Sequence, residues 1–303
     1  MVSQSLGIPS TGIPSLGITF LPAFAPERLR EVARAADSAG LDELWLWEDC
    51  FRHGGLVTAS AALAWTSRIT VGVGLLPVPL RNIGVAAMEL ASLHRLFPDR
   101  VLAGIGHGVQ SWMGQVGARV DSPMTLLSDY ELVLRDLLAG DEVTFDGAYL
   151  HVDAVKLEWP PTVNVPLLIG GEGPRSLGFA ARSGDGVLLT AGLGEAEIGA
   201  ACDLVRAEAA GAGKPMPPVV VPLITATGAG AADRVAAEVA RWKKSDRDDV
   251  GVAGDAEEIA ATILRLAALG VTSVAVQPTE DELDLPGLCR VVGERVRPIL
   301  TES

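Results

Sequence analysis

Short apolar runs alternate with longer amphipathic segments along nearly the whole chain, and this alternation constrains the fold more than any other feature. The short runs are Leu16–Phe20, Leu44–Trp47, Ile69–Leu75, Val101–Ile105, Pro166–Ile169, Gly186–Leu189, Val219–Thr225 and Ser273–Gln277. Ile69–Leu75 is continuous and rich in β-branched residues, as a strand buried on both faces is. Helical patterns fall between the runs, at Pro26–Ala39, Gly55–Thr66, Ile83–Leu96, Thr125–Leu138, Pro174–Ser183, Glu195–Ala210, Ala231–Lys244 and Asp255–Leu269, and Leu285–Leu300 closes the chain. The first shows the logic: Pro26 opens it, Leu29, Val32, Ala33 and Ala36 share one face, and Gly40 ends it. Regular strand–helix alternation predicts a parallel sheet with crossover helices. Eight such units favour closure into a (β/α)8 TIM barrel, with an open doubly wound sheet as the alternative.

Departures from the pattern are few. Glu142–Phe145 and Tyr149–Val152 flank Asp146-Gly147, which predicts a β-hairpin inserted after the fourth β/α unit. Gln110–Pro123 reads as a long loop. Residues 1–15 read as a flexible lead-in with two Gly-Ile-Pro-Ser copies, and residues 16–303 as one barrel domain. Lys243–Gly254, with Asp246, Asp248 and Asp249, reads as a polar surface loop.

Composition narrows the function. The net charge is −14, and only 24 of 303 residues are Lys or Arg, so no basic stripe exists for nucleic acid. No apolar run approaches the roughly 20 residues that span a bilayer. The first residues carry no secretory signal, which points to the cytoplasm. Cys50, Cys202 and Cys289 form no metal-spaced pair, and His53, His94, His107 and His151 lack i, i+4 spacing, so no metal is expected. Lys156, Lys214, Lys243 and Lys244 all fall in loops or helices, against Schiff-base chemistry on a barrel strand.

In such a barrel the chemistry sits just after each strand. Glu48-Asp49-Cys50 follows the second run. Adjacent carboxylates on an extended chain point to opposite faces, so at most one aims into the mouth as an acid/base or substrate-binding group. Trp45 and Trp47 share a face and read as barrel packing. His107, between Gly106 and Gly108, follows the fourth run. Gly170-Gly-Glu-Gly-Pro-Arg-Ser176 follows the fifth and leads into a helix. Such a turn presents free N–H groups and a positive helix end to an anion, and Arg175 in its first turn opposes the helix dipole unless it faces one.

Several segments then resemble the bacterial luciferase-like superfamily. These are Glu43-Leu-Trp-Leu-Trp-Glu-Asp49, Arg68-Ile-Thr-Val-Gly-Val-Gly74 and Leu96-Phe-Pro-Asp-Arg-Val-Leu-Ala-Gly-Ile-Gly106, with Phe97-Pro-Asp-Arg100 the most specific step. Pro166–Gly171 followed by Ser176–Gly186 resembles it too. The resemblance implies a (β/α)8 barrel, often a homodimer, that binds coenzyme F420 or reduced FMN at the strand C-termini. It implies a non-prolyl cis peptide at Gly74-Leu75 against which the cofactor ring packs. It also implies phosphate contacts at Gly171, Gly173, Pro174, Arg175 and Ser176, with a contribution from Gly106-His107-Gly108. The likeness leans toward the F420-dependent branch, hence toward hydride transfer with a small organic substrate, with Glu48, Asp49 and His107 as the catalytic candidates. Relatives in that branch often carry Asp-His where this chain has Glu48-Asp49, so the carboxylate is kept and the imidazole is absent. Alternatives are an FMN monooxygenase fed by a separate flavin reductase and a non-catalytic flavin-binding barrel. Arg175, Arg81, His107 and Arg52 together would gather positive charge at the mouth for the polyanionic deazaflavin.

Overall fold

The computed structural model describes residues 13–242 and 249–302. Residues 1–12 of the lead-in, and Lys243, Lys244, Asp246 and Asp248, lie outside the described residues. Eight parallel strands pair in chain order and close on themselves. They are β1 (Ser15–Phe20), β2 (Glu43–Leu46), β3 (Thr70–Pro77), β4 (Val101–Gly106), β5 (Leu167–Gly170), β6 (Gly186–Leu188), β7 (Val219–Ala226) and β8 (Ser273–Pro278). Ser15 pairs with Ser273 and completes the barrel. The hairpin stands where it was expected, as Val143–Asp146 against His151–Val155. Its turn is longer than the two residues Asp146-Gly147 suggested: Asp146 pairs with His151, and Gly147 N donates to Leu150 O across the loop at 2.9 Å. The expected long loop after β4 contains a one-and-a-half-turn helix, Gln110–Gln115, stopped at Gly117 with φ +71°.

Carboxylates clamp the N-terminal ends of the strands by accepting backbone N–H groups that no neighbouring strand reaches. Asp42 takes Leu16 N at 2.8 Å, Asp37 takes Ile69 N at 2.7 Å, and Asp185 takes Leu167 N at 2.9 Å. Arg100, the specific residue of the family-like step, has the same kind of task. Its guanidinium donates to Ile69 O at 3.0 Å and to Thr66 O at 3.1 Å, and so ties the end of one helix to the start of β3. These contacts lie at the end of the barrel that serves stability.

Inside the barrel one large side chain is matched by missing ones. Trp45 on β2 is 2% exposed and packs with Leu102, Leu168, Leu188, Val220 and Ala275. Glycines face it from both neighbouring strands. A Cβ on Gly72 would lie 2.5 Å from the indole, and one on Gly17 would lie 3.1 Å away. Below it, buried Glu43 accepts the indole N–H at 2.7 Å and the Ser273 hydroxyl at 2.6 Å. Burial pushes the Glu43 carboxyl above its ordinary range, against the pull of these two bonds.

His94, in the helix Ile83–Leu96, is 1% exposed, and neither ring nitrogen has a hydrogen-bond partner among the described residues. Burial holds its pKa down to about 4. The folded protein thus stays neutral there while an unfolded chain takes up a proton near pH 6.5, so stability falls as pH drops from 6.5 toward 4. The loss is on the order of 3 kcal/mol at the lower limit. His94→Leu is expected to flatten that part of the pH profile in urea titrations, and an unchanged slope would show that His94 is not its source.

Candidate functional site

At the C-terminal ends of the strands lies a cavity of about 550 Å³. That is within the roughly 300–1,000 Å³ of small-molecule sites. Its floor is the top of the inner cluster, Trp45, Leu188, Val220 and Ala275, together with Leu75. Leu75 reaches it through a break in β3. The register of β3 against β4 shifts between Val73 and Leu76, and the Gly74–Leu75 peptide is cis, as the resemblance implied. The side chain then lies over two bare stretches of backbone. A Cβ on Gly106 would approach a Leu75 methyl to 2.6 Å, and one on Gly170 to 2.3 Å. Gly106, expected among the cofactor contacts, is buried beneath Leu75 and makes room for it.

The glycine turn after β5 borders the same cavity. Gly170, Gly171 and Gly173 line it, and Gly173 caps the helix Pro174–Ser183. Gly171 must lack a side chain, because a Cβ there would sit 2.3 Å from the Ser176 hydroxyl, which donates to Gly173 O at 2.9 Å. Pro174 and Arg175 are exposed at the rim, outside the cavity wall. Arg175 makes no ion pair among the described residues, and a Cβ on Gly173 would meet nothing within 4 Å, so the helix end is open to an anion.

The two carboxylates separate clearly. Both reach the cavity wall, but Glu48 is fully engaged. It accepts two hydrogen bonds from Arg81, at 2.5 and 3.0 Å, and the Gly55 N–H at the start of the next helix at 2.6 Å. This bears on one expectation and corrects another. Glu48 positions Arg81 and a helix N-terminus, while Asp49 beside it has no such partner among the described residues. Arg81, bound also to Glu89 at 2.8 Å, is not a free cation at the mouth. Arg52 is exposed and outside the wall. Asp49 is half-buried and its carboxylate makes no hydrogen bond among the described residues. Burial raises its pKa; the charge of Arg52 opposes the rise and that of Glu280 adds to it. His107 lines the wall with Nδ1 2.8 Å from Gly108 O. In a neutral ring that contact places the proton on Nδ1 and leaves Nε2 as an acceptor.

Three tryptophans shape the wall. Trp47 is half-buried and lines the cavity, so it does more than pack the barrel. Trp112, in the short helix after β4, and Trp242, after the helix Ala231–Arg241 that follows β7, were not anticipated. Nothing local in the sequence marks either, because each reaches the mouth only through the packing of a helix above it. No cluster of three His, Cys, Asp or Glu side chains among the described residues is placed to hold a metal. No helix among them is long and apolar enough to cross a membrane.

The closed barrel, its cavity at the strand C-termini and the broken third strand define a (β/α)8 barrel whose site is at the mouth. The chain belongs to the luciferase-like monooxygenase family, whose model matches residues 9–259. It is 33% identical over 187 residues to an F420-dependent glucose-6-phosphate dehydrogenase of Mycobacterium avium (strain 104), covering 57% of this chain and 55% of that protein. The matched stretch thus spans about half the length of the curated relatives. Among solved structures, an F420-dependent secondary alcohol dehydrogenase in complex with an F420-acetone adduct superposes with a TM-score of 0.84 at 19% identity, covering 95% of this chain and 99% of that one. The oxygenating constituent of 3,6-diketocamphane monooxygenase from Pseudomonas putida, in complex with FMN, superposes with a TM-score of 0.78 at 15% identity, covering 94% and 98%.

The seating of Leu75 can be tested in isolation. Gly170→Ala is expected to destabilise the protein by about 1–3 kcal/mol through overpacking, and adding Leu75→Ala is expected to recover part of that loss. Strictly additive losses in a denaturation cycle would show that the two residues do not compete for one space.

Proposed function

We propose that the protein is an F420-dependent oxidoreductase that exchanges hydride with a small organic substrate. One arrangement carries this reading. Leu75 on β3, His107 after β4 and the glycine turn after β5 follow one another on adjacent strands, which gives an apolar shelf beside an open helix end. A flat ring on the shelf with its phosphate chain at the turn suits that layout. The names of the relative and of the alcohol dehydrogenase support F420 as the cofactor. Bound there, a deazaflavin supplies two-electron hydride chemistry.

The chain's own residues do the rest. Leu75 would bear the ring, since Gly106 and Gly170 beneath it fix its height. The N–H groups of Arg175 and Ser176, and the Arg175 side chain, would hold a phosphate. His107 Nε2 accepts a hydrogen bond from cofactor or substrate. Asp49, with a pKa lifted by burial, gives or takes a proton at the substrate. The cavity floor keeps water from the reacting centre.

FMN is the second reading. With Arg81 bound to two carboxylates, the described mouth offers one unpaired arginine at the turn, which is enough for a single phosphate. In that case a separate flavin reductase would be a partner. Val57, Val85 and Met88 are exposed on the helices after β2 and β3, and support a homodimer through that face.

Arg175→Ala is expected to weaken cofactor binding by about 1–3 kcal/mol, the loss of one charge-assisted hydrogen bond. An unchanged dissociation constant would make the turn purely structural. Asp49→Asn is expected to lower turnover by roughly 10²–10⁴-fold with cofactor affinity preserved. Glu48→Gln should act mainly on stability. Full turnover in Asp49→Asn would remove Asp49 from the reaction.

A further inference from the structure

The cavity has two halves, set by strand order. β3, β4 and β5 carry the cofactor features, while Trp47 and Asp49 after β2, Pro222 on β7, Ala275 on β8 and Trp242 face them. We propose that this second half takes an uncharged organic substrate with a flat apolar face, seated against Trp47 and Trp242, and that Glu238 is the positioning residue for that wall. The proposal rests on the reading that the first half holds the F420 ring.

The two indoles meet edge to face, with centroids 6.0 Å apart and planes at 88°. Such a corner leaves one ring face available to a flat partner, and contacts of this kind favour conjugated or aromatic groups. The floor beneath is Ala275 and Pro222, with no hydrogen-bonding side chain. The charge on this half is negative. Of the two carboxylates on this side of the described wall, Glu48 is paired with Arg81 and Asp49 is not, and the described wall of the whole cavity includes no Lys or Arg. A phosphate or carboxylate would lose its hydration and meet like charge with no described counter-ion. A neutral molecule meets no such penalty.

Trp242 does not hang freely at the rim. Its indole N–H donates to Glu238 Oε1 at 3.2 Å. Glu238 is 4% exposed, and its other oxygen accepts Arg241 and the Glu280 N–H, each at 3.2 Å. Arg241 also pairs with Glu280, so the helix end is bound to the segment after β8. On its other side Trp242 packs over Gly192, where a Cβ would lie 3.2 Å from the Trp242 Cβ. The carboxylate of Glu238 thus sets the angle at which the second indole meets the first. It acts through Trp242 and not on the substrate.

The test is calorimetric titration of the full chain, alone and loaded with F420, with acetophenone, phenyl phosphate and glucose 6-phosphate as probes. Acetophenone is expected to bind at least about tenfold more tightly than either phosphate, in both forms. Trp242→Ala should weaken acetophenone by about tenfold, and Trp242→Phe by less, since it retains an aromatic face. Glu238→Gln should weaken acetophenone by about threefold and alter the near-ultraviolet circular dichroism of the indole pair, with F420 affinity unchanged in all three variants. Equal or tighter binding of phenyl phosphate would overturn the substrate class. Unchanged acetophenone affinity in Trp242→Ala would overturn the wall, and an unchanged dichroic signal in Glu238→Gln would overturn the positioning role. Failure of F420 to bind the unaltered chain is a separate outcome, which removes the cofactor reading and not the apolar corner.

Discussion

Large side chains set into glycine-lined space hold this site together. Protein interiors are packed too densely for an indole to enter a barrel unless its neighbours give way. Gly17 and Gly72 do so for Trp45, and the same device recurs one layer higher, where Gly106 and Gly170 admit Leu75. The result is a floor at a defined height. Trp45 is further pinned by Glu43, a carboxyl whose burial is tolerable because it accepts two hydrogen bonds. Everything proposed for the mouth depends on that floor: the ring rests on Leu75, and the substrate corner stands on Ala275 and Pro222.

The acidity of the chain is put to different uses at the two ends of the barrel. At the N-terminal ends of the strands Asp42, Asp37 and Asp185 accept backbone N–H groups, which fixes where strands begin. At the mouth Glu48 is neutralised by Arg81 and works as a helix cap. Asp49, one residue later, has neither partner. Two adjacent carboxylates thus differ in chemistry because one is satisfied and the other is not, a difference set by tertiary contacts.

Much of the fold was legible because the strands are short, apolar and separated by amphipathic helices. Asp255, where the Asp255–Leu269 pattern begins, caps its helix by accepting the Glu257 and Glu258 N–H groups at 3.1 Å. The helix Ile83–Leu96 has the bounds its periodicity suggested. The site was legible only in part. Glycine after a strand signals a close approach but not which partner approaches, so the role of Gly106 in seating Leu75 could not be read from the sequence. Arg81 read as a free cation because its partners, Glu48 and Glu89, lie 33 and 8 residues away in sequence. Trp242 was missed for the same reason: only the packing of a helix over β7 brings it to the mouth.

The most direct measurement is a titration of F420 into the full chain, followed by the deazaflavin's own fluorescence, with FMN then added as competitor at two salt concentrations. A cofactor held on the Leu75 shelf with its phosphate at the Arg175 turn should give saturable quenching that weakens as salt rises and that FMN reverses only in large excess. No quenching, or displacement by FMN at equal or lower concentration, would contradict an F420 site and leave the flavin reading in its place.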